Sequence, residues 1–158
     1  MWEKLFELAL FVRSGGKHRK PSEILKTFIK AKDEKESKLT AQETSTLRGA
    51  FSFLSDAYKN SDLGKTRMAT DQTHFYTLCT SLLSGRLRGI SDDGTIVARL
   101  TKFAAYIEER DAIPRDAELG KTVSRYLVLS KEKTTDASRR SDRQDALLRA
   151  IELIAVGN

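Results

Sequence analysis

The feature that most constrains this chain is a stretch near its middle, TDQTHFYTLCTSLLSG, from Thr70 to Gly85, in which Asp71 is the only charged residue. Charged residues make up 32% of the whole sequence, yet none occurs between Gln72 and Gly85. A helix at the surface of a protein normally has one apolar face and one charged face. Because this helix would have no charged face, we expect it to lie at the centre of the fold, covered on both sides.

The spacing of residues in this stretch predicts a helix with two different uncharged faces. One face carries apolar side chains: Phe75, Leu78, Cys79, Leu82 and Leu83, with Tyr76 at its margin. The other face carries short hydroxyl side chains: Thr70, Thr73, Thr77, Thr80, Ser81 and Ser84. Such small side chains allow a second helix to approach closely, and their hydroxyl groups can donate to carbonyl oxygens of their own helix. The alternative interpretation is a surface helix whose Ser/Thr face meets solvent.

Apolar residues at helical spacing recur along the rest of the chain, and runs of alternating apolar and polar residues are missing. The predicted fold is therefore all-α: a single compact domain over residues 1–158, with about seven helices arranged around the uncharged one. The first helix, Trp2 to Arg13, is apolar nearly all round. Pro21 suits the first turn of the second helix. Thr40 and Glu43 have the form of a capping box at the start of the third.

The later part of the chain is divided by turn residues and helix caps. Segment 61–69 is expected to be a loop that leads into the uncharged helix. Three further helices are expected within these ranges: 96–107, 123–129 and 138–154. Ser138 or Ser141 is predicted to cap the last of them, because a serine hydroxyl at that place can accept from the first free backbone amides.

Charge and cysteine content limit the class of protein without naming a function. The net charge is +6 and the pI is near 9.5, which permits contact with nucleic acid or acidic partners but does not require it. The single cysteine, Cys79, excludes an internal disulfide and suits a reducing cytosol. The longest apolar run, Leu8 to Val12, is too short to cross a membrane. Glu3 and Glu7, with no small-residue cleavage site after them, argue against a secretory signal, so we expect a cytoplasmic protein.

Two GKT triplets, 64–66 and 120–122, resemble part of a phosphate-binding loop. That loop needs another glycine five positions before the Gly-Lys pair, so that backbone amides can turn toward the phosphates. Lys59 and Arg115 occupy those positions, and no strand is predicted before either triplet. We therefore interpret both triplets as chance matches.

Residues that could support catalysis are few. His74 could act as a general base, but no carboxylate in its helix lies on its face to orient it, and a hydrogen bond to a neighbouring helix is the favoured interpretation. Cys79 lies on the apolar face, where a thiol is usually inert. The acidic pairs 92–93 and 108–109 could bind a divalent ion if the fold joined them. The simpler reading is that the first pair caps a helix and the second is solvated. No catalytic residue, metal or cofactor is predicted.

An arginine cluster marks the start of the last helix, where the helix dipole disfavours cations. Its members are Arg139, Arg140 and Arg143. Such a cluster is expected to attract an anion, either an acidic residue of another segment or a phosphate. A local explanation is also open, because three aspartates are close in sequence and could neutralise the cluster: Asp136, Asp142 and Asp145.

Several short motifs together resemble the "domain of unknown function 262" family. ELAL followed by FVRSGGKHRKPSEILKTFI, residues 7–29, is similar to a short helix and basic turn of that family, after which a long amphipathic helix comes next. THFYTLCTSLL, residues 73–83, is similar to the following helix. The closing pattern Y…S…TT…RR…R…L is matched by these residues: Tyr126, Ser130, Thr134, Thr135, Arg139, Arg140, Arg143 and Leu147.

The resemblance implies a bacterial protein of restriction or phage-defence type, in which an N-terminal ParB/sulfiredoxin-like nuclease or NTPase domain precedes a helical region. This chain is similar to the helical region alone. The family's Asp-Gly-Gln-Gln-Arg run is absent, since Asp93-Gly94 continues into Thr95-Ile96. No catalytic residue can therefore be carried over, and the resemblance implies either a fragment of a larger protein or a separately encoded helical half.

Three hypotheses for function follow. The first is a non-catalytic module that supports a ParB-like domain and contacts DNA or RNA through basic residues: Lys17, Arg19, Lys20, Arg139, Arg140 and Arg143. The second is a protein-interaction module whose apolar surface meets a partner chain through these residues: Trp2, Leu5, Phe6 and Phe11. The third is an enzyme in which the fold assembles His74 with distant carboxylates.

Overall fold

A computed structural model describes residues 2–33, 38–115, 117–131 and 134–155 of the protein, and within these ranges every regular element is helical. The α-helices described are α1 Trp2–Arg13, α2 Pro21–Asp33, α3 Ala41–Asn60, α4 Arg67–Thr70, α5 Gln72–Leu83, α6 Asp93–Glu108, α7 Ala117–Leu129 and α8 Ala137–Leu153. Two short 3-10 helices, Asp62–Lys65 and Arg110–Ala112, connect them. The arrangement is compact, and the predicted all-α class is confirmed.

Helix α4 is an addition to the predicted set, because it lies in the segment that was expected to be a loop. It is a single turn of four residues, too short to show an apolar period in the sequence. The buried side chain of Met68 fixes it against the core. The carboxylate of Glu108 accepts from its first backbone amide, that of Arg67, at 2.6 Å.

Helix starts are set by side chains that accept from free backbone amides. The predicted capping box is confirmed: Thr40 Oγ1 accepts from Glu43 N at 3.1 Å, and Glu43 Oε2 accepts from Thr40 N at 2.8 Å. Asp92 caps α6 by accepting from Thr95 N at 2.9 Å, which confirms the simpler reading of that acidic pair. The prediction for α8 is wrong, because Asp136 occupies its N-cap position and makes no side-chain capping bond. The two candidate serines lie inside the helix.

Helix α5 lies at the centre, in contact with α1, α3, α4 and α8. The middle of the hydroxyl stripe is buried: Thr77 is 1% exposed, and Thr80 and Ser81 are fully buried. At its ends Thr73 and Ser84 are half-buried and Thr70 is exposed. The buried hydroxyls donate to backbone carbonyls one turn earlier, for example Thr77 Oγ1 to Thr73 O and Ser81 Oγ to Thr77 O, each at 2.8 Å. The predicted central helix, covered on both sides, is confirmed, and the surface-helix alternative is wrong.

The apolar core forms around α5 from the facing sides of α3, α6, α7 and α8. Its fully buried members include Leu78, Leu100, Phe103, Val123 and Leu147. Gly120 lets α7 pack closely on the preceding loop, since a Cβ at this position would stand 2.5 Å from the carbonyl oxygen of Pro114. Within the described ranges no helix has both the length and the apolar character needed to cross a bilayer.

Candidate functional site

The most unusual part of the interior is a set of charged and polar side chains between α1, α5 and α8. Arg140 is buried on α8, and its Nη2 donates to Oε1 of Glu7 on α1 at 2.8 Å. The guanidinium carbon of Arg140 also lies 4.5 Å from the centre of the Tyr76 ring, within cation–π range. The anion that the arginine cluster was expected to attract is, for Arg140, an acidic residue of another segment.

For Arg140 and Arg143 the local explanation is wrong, because Asp142 and Asp145 pair with arginines of other segments. Asp142 lies 3.9 Å from Arg125 on α7, and Asp145 lies 2.6 Å from Arg86 after α5. Asp136 precedes the helix and is exposed. The arginines that point inward are therefore left to partners that are distant in sequence.

Arg143 is the most deeply buried cation among the described residues, at 1% exposure. Its Nε donates to Thr77 Oγ1 at 2.7 Å, and its terminal nitrogens lie 3.4 Å from the carbonyl oxygens of Leu129 and Thr134. In the described part of the chain no carboxylate lies within ion-pair distance of it. Burial lowers the pKa of its guanidinium. Thr77 thus uses one hydroxyl twice, donating within α5 and accepting from α8.

Gln144 connects α8 to the basic loop that follows α1. Its Nε2 donates to Thr80 O and to Ser84 Oγ, both at 3.2 Å, which fixes the orientation of the amide because a carbonyl oxygen can only accept. Its Oε1 lies 2.8 Å from His18 Nε2, so this histidine nitrogen must donate. Burial lowers the pKa of His18, which favours the neutral ring in this position.

The basic loop, defined here as residues 14–20, is held in a specific shape. Gly15 and Gly16 have φ of 68° and 85°, a left-handed conformation that favours glycine. Gly16 N donates to Phe11 O at 2.9 Å, and the His18 ring lies 4.9 Å from the Phe11 ring. The half-buried His18 therefore anchors the loop, while Lys17 on the same loop is exposed to solvent.

The six predicted nucleic-acid residues divide into two groups. Lys17 and Lys20 are exposed, and Arg19 and Arg139 are half-buried, so these four reach the surface. Arg140 and Arg143 are directed inward, and a nucleic-acid backbone lying on the surface would not reach them. Their assignment to backbone contacts is corrected for that reason.

The predicted partner surface on α1 is only partly exposed. Leu5 is 40% exposed and Phe6 is half-buried, whereas Phe11 is 2% exposed and packs beneath the basic loop, so its assignment to an exposed surface is wrong. The side chain of Trp2 lies outside the described residues. An exposed leucine that the sequence analysis did not select is Leu25 on α2, at 58%.

His74 occupies the interior rather than a cleft. Its Nδ1 lies 2.8 Å from the hydroxyl of Tyr126 on α7, which confirms the favoured interpretation of a bond to a neighbouring helix. Burial lowers its pKa to about 4. Cys79 is buried on the apolar face, and burial raises the pKa of its thiol to about 12, as expected for an inert cysteine.

The two GKT triplets lie in helical segments, where they do not form a phosphate-binding loop. The triplet at 64–66 lies at the end of a 3-10 helix, and the triplet at 120–122 lies inside α7, so neither follows a strand. Among the described residues no three His, Cys, Asp or Glu side chains are grouped to hold a metal ion. Glu7, Tyr76 and Gln144 were missed by the sequence analysis. Glu7 carried a usable signal, since it is the single charged residue in the apolar run from Leu5 to Val12.

No protein-family model, curated protein or solved structure matches this chain. The family resemblance therefore stays a prediction, and function is inferred from the arrangement of side chains.

Proposed function

We propose that this chain is a non-catalytic helical module that contacts the nucleic-acid backbone through its basic loop. The single observation that carries this proposal is the anchoring of that loop: His18 is held by Gln144 of α8, while Lys17 and Lys20 beside it stay exposed. A loop already fixed in its binding shape loses less conformational entropy when it binds.

The positive charge of the basic loop also supports contact with phosphate groups. Within the described part of the chain no carboxylate lies within ion-pair distance of Lys17 or Lys20, and the half-buried Arg19 lies between them. Lysine and arginine contacts to phosphates supply affinity without reading sequence. The proposed role is therefore positioning on DNA or RNA, with little preference for sequence.

The companion in this proposal is a ParB-like nuclease domain, on the same or a neighbouring chain, in a cytoplasmic system of restriction or phage-defence type. This part rests on the motif resemblance alone. The burial of His74 and its bond to Tyr126 favour a structural role for this histidine over acid–base chemistry, so catalysis is assigned to the companion.

A mobility-shift assay at low salt tests the nucleic-acid contact. We expect the wild-type chain to shift a DNA or RNA probe, and the double variant Lys17→Ala/Lys20→Ala to shift it much less. The matched control is Lys59→Ala/Lys121→Ala, which removes two exposed helical lysines elsewhere. No shift by the wild-type chain at low salt, or equal loss in both double variants, would refute the proposal.

A second candidate function is protein interaction, which the exposed apolar residues of α1 and α2 favour. Leu5 and Leu25 are 40% and 58% exposed on two helices that pack against each other. Exposed apolar patches mark interaction surfaces. An isolated chain that stays monomeric and binds no hydrophobic dye would remove this candidate.

A further inference from the structure

A small polar pocket opens beside the buried arginines of α8. It has a volume of about 80 Å³ and lies where Lys4 of α1, the first turns of α5, and residues 134–135 meet Arg140 and Arg143. None of the residues that line it is acidic. Pockets for drug-sized ligands measure roughly 300 to 1,000 Å³, so this one suits only a small ion or the end group of a larger molecule.

The charges around the pocket do not balance. Glu7, just behind the lining, is the shared partner of Lys4 and Arg140, each at 2.8 Å. Arg143 has no carboxylate partner in the described ranges. Asp71, the N-cap of α5, also acts electrostatically on Arg143 but is not within ion-pair distance of it. The three cations of the pocket thus have one directly paired carboxylate, Glu7, and a more distant one, Asp71. A buried cation without a counter-charge is costly in free energy, and a bound anion would remove that cost.

Hydrogen-bond donors also line this pocket. Three of the four contacts that Arg143 makes are 3.4 Å long, at the limit of a hydrogen bond, so its guanidinium can turn toward a better acceptor. The hydroxyl-bearing residues Thr73, Thr134 and Thr135 line the same pocket. Guanidinium groups match the oxygen geometry of phosphate, and a hydroxyl can donate to a third oxygen.

We propose that this pocket binds a phosphate dianion, either inorganic phosphate or the terminal phosphate of a monoester. A monoester has one substituent, which can point out through the mouth of the pocket, whereas a phosphodiester has two and fits a small recess less well. Lys4 of α1 and Arg143 of α8 supply positive charge, and Arg140 holds the wall of the pocket through its ion pair with Glu7. The site is separate from the basic loop and stands whether or not that loop binds nucleic acid.

Isothermal titration of the full chain with sodium phosphate, at ionic strength held constant with sodium chloride, tests the site. We expect one saturable binding event that chloride does not reproduce. A parallel titration with adenosine monophosphate separates the two sources: equal affinity indicates that the phosphate alone is recognised, and tighter binding of the nucleotide indicates a monoester ligand.

Variants place the binding event in the pocket. Lys4→Met, at a side chain that is 43% exposed, and Thr73→Val are expected to weaken phosphate binding by about tenfold each, the loss of one charge-assisted hydrogen bond. Arg143→Met is expected to abolish it. Arg48→Gln, which removes an exposed arginine from α3, is the control and is expected to bind as the wild type does.

Arg143→Met removes a buried group, so its fold is first checked by circular dichroism. If it does not fold, the Lys4 and Thr73 variants decide the question. The proposal is overturned if the wild-type chain binds neither phosphate nor the nucleotide at 10 mM (about the weakest affinity worth assigning to a built site). It is equally overturned if Lys4→Met and Thr73→Val bind phosphate as tightly as Arg48→Gln.

Discussion

Arg143 Nε donates to Thr77 Oγ1 at 2.7 Å, and this bond joins the second turn of α8 to the middle of α5. The two oddest features of the sequence are therefore partners. The uncharged helix α5 packs against α8, which carries arginines in its first two turns. The hydroxyl stripe accepts from the cation without placing a second charge in the core, and the short threonine side chain leaves room for the guanidinium.

Replacing Thr77 with valine tests this contact. Valine keeps the shape but cannot accept from Arg143, so we expect the free energy of unfolding to fall by about 1 to 3 kcal/mol, the cost of a buried donor left unpaired. Urea unfolding measures it. Thr46→Val on α3 is the matched control, since Thr46 also donates to the carbonyl one turn earlier but on an exposed face. Equal losses in the two variants would contradict the account.

The position of α5 was predictable because it depends on residues within one helix. Helical spacing alone assigns Leu78 to the apolar face and Thr77 to the hydroxyl face. The absence of charged residues can be read directly from the sequence. The polar interior was not predictable, because Glu7 and Arg140 are 133 positions apart. Helical spacing tells which face of each helix is polar, but not which two faces meet. The role of His18 was hidden for the same reason, since its partner Gln144 lies on α8.

Replacing the carboxylate of a buried ion pair is expected to lower the free energy of unfolding more than replacing the carboxylate of an exposed ion pair. Glu7→Gln leaves Arg140 buried without its counter-charge, at a cost of about 3 kcal/mol in the free energy of unfolding. Glu152→Gln breaks the exposed pair with Arg149, whose charges solvent screens, so a clearly smaller loss is expected. Both are measured by urea unfolding at neutral pH. A Glu7→Gln variant as stable as Glu152→Gln would show that the pair does not hold α1 to α8.

The free energy of unfolding is expected to decrease as pH falls below about 6.5, because His74 is buried in its neutral form. Its pKa in the folded protein is lowered to about 4 by burial, whereas an unfolded histidine titrates near 6.5. Between these values the unfolded chain binds the extra proton, so the stabilising contribution is complete above about pH 6.5 and declines as pH falls toward 4. In His74→Gln the free energy of unfolding should change less across this window. A wild-type curve that is flat from pH 7 to 4, or identical curves for both proteins, would argue against it.

His18 is expected to control the order of the basic loop without controlling its charge. His18→Ala removes the bond to Gln144 and the ring contact with Phe11, so residues 17–20 should become mobile. Limited trypsin digestion measures this: cleavage after Lys17 or Arg19 should be faster in the variant, because a protease requires a locally opened chain. Lys20 is followed by Pro21 and is not a tryptic site. Cleavage at Lys59, within α3, serves as the internal control. Unchanged cleavage of the loop would mean that other contacts hold it.

The proposed contact between the basic loop and nucleic acid is tested most directly by the salt dependence of binding. Fluorescence anisotropy with a labelled DNA duplex gives the slope of log affinity against log salt for the wild type and for Lys17→Ala/Lys20→Ala. Each phosphate contact contributes about 0.9 to the magnitude of that slope, so losing two contacts should reduce it by about 1.8. An identical slope in the two proteins, or no measurable binding by the wild type at low salt, would contradict the account.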